Sequence, residues 1–186
     1  MSDDFFALLG IPRHAAIDDE ALKTRYHELA GEIHPDKASD PAQKEELVER
    51  SAQLTLAWKT LSNSASRIRH LLELIAPNSA TGDAGLSEEL MQLFASVGST
   101  IQKADSFLSK RKGATSALAK ALLAEEEVEV QTQLQSTLGA VTQAQEMMDL
   151  GTGDVGELRQ IYTKLSFLEK WQQQLNERIL ALLTLV

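Results

Sequence analysis

The chain has 186 residues, a formal net charge of −9 at pH 7 and only 5% aromatic residues. Neither half of it is basic, which disfavours a nucleic-acid partner, because DNA and RNA are held by surfaces that neutralise phosphates. The sequence contains no cysteine. This excludes disulfides, a thiol nucleophile and any zinc ion or iron–sulfur cluster held by thiolates.

Leu, Ala, Glu and Gln dominate the composition, and since these residues favour helices we expect an all-α protein. The acidic start Met1-Ser-Asp-Asp4 lacks the pattern of a signal peptide. No apolar run is long enough for a membrane span. We therefore predict a soluble, cytoplasmic protein with no membrane partner.

The first 33 residues predict two helices. A short apolar segment from Phe5 to Leu9 is closed by Gly10-Ile11-Pro12, a pattern typical of a brief helix and its stop. Asp18 is a suitable N-cap for the next helix. That helix carries one apolar stripe, made of Leu22, Tyr26, Leu29 and Ile33.

The tripeptide His34-Pro35-Asp36 ends this second helix, because the residue before a proline is displaced from the α region. A polar loop follows, and a third helix begins near Ala42. Its apolar side carries Leu47, Ser51, Leu54, Trp58 and Leu61. Two helices joined by about seven residues pack antiparallel. We therefore expect the tripeptide to be exposed at one end of a helical hairpin.

The rest of the chain predicts four more helices. The first runs from Arg67 to Ile75 and is followed by a linker at residues 76–87 that contains Gly, Pro and Ser. The last three are longer, and are predicted from Leu90 to Lys112, from about Thr115 to Leu150, and from Asp154 onward. They should form an antiparallel three-helix bundle. The predicted domains are therefore residues 1–75 and 88–186.

The N-terminal part resembles a J-domain. The segment from Leu22 to Lys37, which ends in His-Pro-Asp-Lys, resembles the second helix and loop of that family. Phe5 to Pro12 is similar to its first helix, and Leu54 to Ser62 is similar to its third. The stretch from Arg67 to Leu72 resembles the form found in HscB co-chaperones. The resemblance covers the first 75 residues.

This resemblance implies that the loop docks on the ATPase domain of a DnaK/HscA-class chaperone and stimulates ATP hydrolysis. The residues implied in docking are His34, Pro35, Asp36 and Lys37. Their chemistry suits the role, because proline shapes the turn and a carboxylate can bind an arginine through both oxygens. The histidine adds two ring nitrogens beside them.

J-domains also approach the chaperone with a basic face on the second helix. The matching residues here are Lys23, Arg25 and His27, but Glu28 and Glu32 lie on the same helix. We therefore expect weaker electrostatic steering than the family pattern implies.

The C-terminal half resembles the helical domain of HscB at Glu89 to Phe94 and at Lys164 to Lys170. In that family the matching apolar residues hold the iron–sulfur cluster scaffold protein IscU. The residues implied in client binding are Leu90, Met91, Phe94 and Phe167, and Trp171 is a further candidate one turn beyond the last of them. The acidic residues that follow this cluster in the family are replaced by Ala95-Ser-Val-Gly98.

Periodicity gives a partly independent indication. Phe167 lies off the seam formed by Leu158, Ile161, Leu165 and Leu168, and Met91 leaves the stripe of Leu90, Phe94 and Val97. Large apolar side chains off a seam predict an exposed contact surface, although a broad bundle seam also absorbs such residues. The stripe itself is equally consistent with Leu90 and Phe94 in the core.

The sequence thus predicts a non-enzymatic adaptor without a cofactor, which engages a chaperone and delivers a scaffold protein. One alternative is a J-domain co-chaperone for a different client. A second is an enzyme, but no metal-ligand spacing, Ser/His/Asp grouping or phosphate-binding glycine loop supports it. A third, a helical protein that binds nothing, leaves the context of His34-Pro35-Asp36 unexplained.

Overall fold

The computed structural model describes residues 4–34, 36, 38–77, 87–151 and 153–184. Within these ranges the chain forms eight helices and no strand, which confirms the all-α class. Residues 78–86 of the predicted linker lie outside them. In chain order the helices are α1 Phe5–Leu9, α2 Asp19–Glu32, α3 Pro41–Ser62, α4 Ser64–Ile75, α5 Glu88–Gly113, α6 Ala117–Leu122, α7 Ala124–Glu146 and α8 Val155–Thr184.

Side-chain caps fix the starts of the first three helices. The carboxylate of Asp4 accepts the N–H groups at the start of α1, and Asp18 does the same for α2. Asp40 caps α3, which has Pro41 in its first turn, where a missing N–H costs nothing. Gly10 ends α1 with φ of 67°, a left-handed conformation that glycine adopts without steric cost. The contacts of Asp18 confirm the N-cap that the sequence predicted for α2.

By its internal contacts the chain divides into two compact units. The N-terminal unit comprises residues 1–83 and 150–163, and the C-terminal unit comprises residues 84–149 and 164–186. The start of α8 thus belongs to the N-terminal unit, whereas the predicted domain at 88–186 included it. The reason is local packing, since Arg159 and Tyr162 of α8 line one cleft together with Arg69 and Leu72 of α4.

In the N-terminal unit, α1, α2 and α4 each pack against α3. The hairpin of α2 and α3 is joined by stacking of Tyr26 on Trp58, with ring centroids 5.1 Å apart. The buried apolar side chains of these helices include Phe6, Leu9, Leu22, Leu54, Leu61 and Ile68. This core holds the loop between α2 and α3 at one end of the hairpin.

Arg67 is buried inside this unit, with 2% of its surface exposed. Its Nη1 donates to the carbonyl oxygen of Leu61 at 2.7 Å and lies 3.4 Å from a carboxylate oxygen of Asp19. The bond to Leu61 satisfies one of the carbonyls that the end of α3 leaves without a helical partner. Burial lowers the pKa of Arg67, and Asp19 opposes that shift.

His70 is also buried, between α4 and α1. Its Nε2 accepts the N–H of Phe5 at 3.1 Å, so the ring is neutral with its proton on Nδ1. The imidazole stacks on the rings of Phe5 and Phe6. Burial lowers the pKa of His70, although the negative charges of Glu73 and Asp4 act in the opposite direction.

In the C-terminal unit, α5, α7 and the later part of α8 share an apolar core. Its members are Leu90, Val97, Ala104, Phe107, Val130, Leu134, Val141, Leu168, Trp171, Leu175 and Leu182. A buried polar pair joins α5 to α7, where the hydroxyls of Thr100 and Thr137 lie 2.9 Å apart. On the surface, Arg178 of α8 pairs with Asp105 of α5.

Two expectations about the bundle are wrong. The single helix predicted from Thr115 to Leu150 is divided at Leu123 into α6 and α7, where the N–H of Leu123 bonds to Lys120 in a tightened turn. Because of this break, the apolar residues of α6 are not continuous with the seam of α7. Leu118 and Leu122 are accordingly 72% and 75% exposed.

The predicted seam of α8 also differs at its start. Leu158 and Ile161 are buried, but neither is a member of the bundle's core cluster. They precede residue 164, where the C-terminal unit resumes.

None of the helices in the described residues is long and apolar enough to cross a membrane. These residues also contain no group of three or more His, Asp or Glu side chains placed as metal ligands.

Candidate functional site

The loop between α2 and α3 presents two of the predicted docking residues. α2 ends at Glu32, and the last helical N–H, that of Ile33, bonds to Leu29. The side chains of His34 and Asp36 are 58% and 86% exposed. Both therefore lie on the surface at the open end of the hairpin, as the sequence predicted.

His34 and Asp36 are held side by side. The backbone N–H of Asp36 donates to Nδ1 of His34 at 3.2 Å, which places the proton of the neutral imidazole on Nε2. The carboxylate of Asp36 comes within 3.4 Å of the same Nδ1. Since Nδ1 carries no proton in this tautomer, that approach is not a hydrogen bond. A partner thus meets an N–H donor and a carboxylate acceptor at adjacent positions.

The other two residues of the loop motif, Pro35 and Lys37, lie outside the described residues. Their implied roles in docking stay predictions.

The basic residues of α2 differ in what they contact. Lys23 and His27 are exposed, and Lys23 lies 4.0 Å from the carboxylate of Glu20. Arg25 instead donates from Nε to the carbonyl oxygen of Leu9 and from Nη1 to Glu28. Arg25 therefore ties α2 to the end of α1, and its charge is partly neutralised. This pairing agrees with the expectation of weaker electrostatic steering, which stays a prediction.

An apolar patch lies on the C-terminal unit, formed by Met91 and Phe94 of α5 and Phe167 of α8. These side chains are 52%, 57% and 40% exposed. The rings of Phe94 and Phe167 both contact the ring of Trp171, with centroids 5.7 Å and 6.2 Å away. Trp171 is 4% exposed and belongs to the bundle core. Its indole therefore forms the floor beneath the apolar patch.

The exposure predicted for Met91 and Phe167 is confirmed. Leu90 is 8% exposed and is a core residue, which is one of the two positions that the stripe allowed for it. Trp171 is available to a partner only through the rings above it. Phe94, for which the stripe left a core position open, is exposed, because Trp171 fills the space beneath it. The signal for Phe94 was its spacing, since a residue three positions after Met91 shares its face of the helix.

Comparison with known proteins agrees with this architecture. Residues 4–70 match the DnaJ domain family. The human co-chaperone protein HscB superposes with a TM-score of 0.53 at 18% identity, covering 95% of this chain and 84% of the human one. The chaperone HscB from Vibrio cholerae gives 0.58 at 18% identity, covering 94% and 96%.

The family match runs from the start of α1 into α4, where it ends at residue 70, and it includes the loop that bears His34 and Asp36. The structural matches extend over the C-terminal helices as well. Residues 4–70 are therefore similar to a DnaJ domain, and the chain as a whole has the all-α fold of the solved HscB structures.

Proposed function

We propose that this protein stimulates the ATPase of a DnaK/HscA-class chaperone through its J-domain and delivers an iron–sulfur cluster scaffold protein of the IscU type with its C-terminal bundle. The observation that carries the proposal is the exposed pair of His34 and Asp36 at the end of a J-domain hairpin. The protein then regulates a partner's ATP hydrolysis and catalyses no reaction itself. The cytoplasmic location expected from the sequence is part of the proposal.

The loop supplies the kind of contact that can act on a partner enzyme. An exposed carboxylate such as Asp36 can bind an arginine in a bidentate manner, and a charge-assisted hydrogen bond of this kind is worth about 1.5–3 kcal/mol. The Nε2–H of His34 adds a donor beside it. Because α2 and α3 pack against each other, the two ends of the loop are held in place, which lowers the cost of ordering on binding.

The apolar patch supports the client half of the proposal. Exposed aromatic and methionine side chains are enriched at protein interfaces, and residues of this type often carry most of the binding energy. Met91, Phe94 and Phe167 project from two helices with a rigid tryptophan beneath. A co-chaperone for a different client is the alternative, because such a patch does not by itself specify its partner.

The ATPase half is tested by steady-state hydrolysis with the purified DnaK/HscA-class chaperone. We expect the wild-type protein to accelerate hydrolysis and His34→Gln to lose the acceleration with unchanged helical circular dichroism. His14→Gln is the matched control, since His14 is exposed on the α1–α2 connection and is not part of the candidate site. Equal stimulation by His34→Gln and the wild type would overturn the proposal.

The client half is tested by titrating cluster-free IscU-type scaffold into the full-length protein. Phe167→Ala and Met91→Ala should each weaken binding by about tenfold, as for a central interface residue. Leu180→Ala is the matched control on α8, because Leu180 is 62% exposed and lies outside the apolar patch. Undiminished binding by both patch variants would favour a different client or a different face.

A further inference from the structure

The apolar patch has an uneven charged border. On α8, Lys164 precedes Phe167 by three residues and Lys170 follows it by three, which places each lysine within about 60° of the phenylalanine around the helix. In the described part of the chain the side-chain ammonium group of neither lysine has an ion-pair or hydrogen-bond partner. By contrast, Arg178 further along α8 is paired with Asp105 and Glu177.

The opposite border, on α5, carries no basic residue. Glu88 lies one turn before Met91 and is exposed. Beyond Phe94 the same helix presents Ala95 and Gly98, and a Cβ placed on Gly98 would meet nothing within 4 Å. The patch therefore has positive charge along α8, negative charge at the start of α5, and a low, uncharged surface between Phe94 and Gly98.

From this arrangement we infer that the partner of the apolar patch is a protein whose apolar contact surface is flanked by acidic groups, which face Lys164 and Lys170. The inference rests on the proposed client binding and specifies the chemistry of that client. Charge complementarity supports it, since an apolar centre with a charged, solvated rim is the usual anatomy of a protein interface. Acidic groups of the partner are attracted to the α8 border and repelled by Glu88 on the α5 border. This difference in charge fixes the orientation of the partner.

The negative net charge of the chain makes the two lysines important for binding an acidic partner. A protein of net charge −9 repels an acidic partner at long range. Two lysines without ion-pair partners among the described residues, beside the contact surface, offset that repulsion where docking occurs. Because rim charges act mainly on the rate of association and on its salt dependence, the effect should be large at low ionic strength and small at high ionic strength.

The test is calorimetric titration of the cluster-free IscU-type scaffold into the full-length protein at ionic strengths of about 0.01 M and 0.15 M, where the Debye lengths are about 30 Å and 8 Å. We expect the double variant Lys164→Glu/Lys170→Glu to bind about tenfold more weakly than the wild type at the lower ionic strength. The difference should shrink at the higher one.

The matched control is Lys112→Glu/Lys120→Glu, which makes the same change in net charge within the same unit. Both control lysines are exposed and lie on α5 and α6, away from the apolar patch. Their replacement should leave the dissociation constant within about twofold of the wild type. Equal weakening by both double variants would reduce the effect to net charge and overturn the inference.

The remaining outcomes separate the inference from the proposed function. One outcome is that the scaffold binds and Phe167→Ala weakens binding, whereas Lys164→Glu/Lys170→Glu does not. The proposed client then stands, and the inference that acidic groups of the partner face the two lysines is rejected. If the scaffold does not bind the wild-type protein at either ionic strength, the client half of the proposed function fails together with the inference.

Discussion

The N-terminal unit buries Arg67 and His70 and presents a polar site, His34 with Asp36, on a loop. The C-terminal unit has the reverse arrangement. Among its described residues the interior is apolar apart from one pair of threonines, and its candidate site is an apolar patch on two helices. The two sites should therefore bind by different physics. Directional, charge-assisted contacts serve the first, and burial of apolar area serves the second.

The two units should also differ in what lowers their stability. Polar groups inside the N-terminal unit make it sensitive to pH and to the loss of single hydrogen bonds. The bundle depends on packed side chains whose contribution changes little with pH. Four experiments test this contrast, and those with the greatest expected effect come first.

Replacing Arg67 with alanine should destabilise the N-terminal unit by about 2–4 kcal/mol, because it removes a buried hydrogen bond and leaves the carbonyl oxygen of Leu61 unsatisfied. Regional hydrogen exchange measures this unit separately from the bundle. Arg69→Ala is the control, since that arginine is exposed and its ion-pair partner among the described residues is Glu73, on the same helix. Similar losses in the two variants would show that the buried arginine has no special role.

Replacing Asp36 with asparagine should lower ATPase stimulation at least about tenfold, because one charge-assisted contact becomes a neutral one. Scaffold binding, measured by titration on the same protein, should be unchanged, since the loop and the apolar patch lie in different units. Phe167→Ala should show the converse pattern when stimulation is measured without a client. A joint loss of both activities in either variant would contradict the independence of the two sites.

The stability of the N-terminal unit should fall as the pH drops below the usual histidine pKa of 6.5. Burial lowers the pKa of His70 in the folded chain, so the unfolded chain takes up this proton at a higher pH. The stabilisation is thus complete above pH 6.5 and decreases below it, with a slope of at most about 1.4 kcal/mol per pH unit from one proton.

Denaturant unfolding of the N-terminal unit between about pH 5 and pH 8 checks this, with His70→Gln as the comparison. Glutamine still offers an acceptor to the N–H of Phe5 but does not titrate, so the slope should flatten. Asp4 titrates in a separate range. Burial alone would raise the pKa of Asp4, but hydrogen bonds from Arg13 and from backbone N–H groups bring it below 3.8. A slope that persists in His70→Gln would assign the pH response to another group.

The smallest effect is expected in the bundle. Thr137→Val removes one partner of the buried hydroxyl pair and leaves the hydroxyl of Thr100 without it, at a cost of about 1 kcal/mol. The double variant Thr100→Val/Thr137→Val should recover part of that loss, because an apolar replacement of both groups leaves no unsatisfied hydroxyl. Thermal unfolding at two pH values should show the same cost at each.

Local signals were sufficient to predict most of the fold. The caps at Asp18, the stop at Gly10 and the apolar stripe of α2 depend on neighbours in the chain, so a sequence pattern contains them. The break at Leu123 was not predicted, because neither a proline nor a glycine marks it. The grouping of residues 150–163 with the N-terminal unit depends on tertiary packing, which periodicity along one helix does not encode.

The two candidate sites differ in the same way. His34 and Asp36 were predictable because the order of residues in the loop is itself the signal. The apolar patch was only partly predictable, since the exposure of Phe94 depends on how Trp171 fills the interface between two helices. The role of a single charged residue such as Arg25 was not predictable, because its contact with the end of α1 joins residues 16 positions apart.

The indole of Trp171 contacts both exposed rings of the apolar patch and has little contact with water. Its fluorescence is therefore a built-in reporter of whether the patch is covered, and no dye needs to be attached. The other tryptophan of the chain, Trp58, lies in the hairpin of α2 and α3 and can be replaced with phenylalanine, which retains an aromatic partner for Tyr26. The remaining emission would then follow client arrival in real time, while the chaperone is present and hydrolysing ATP.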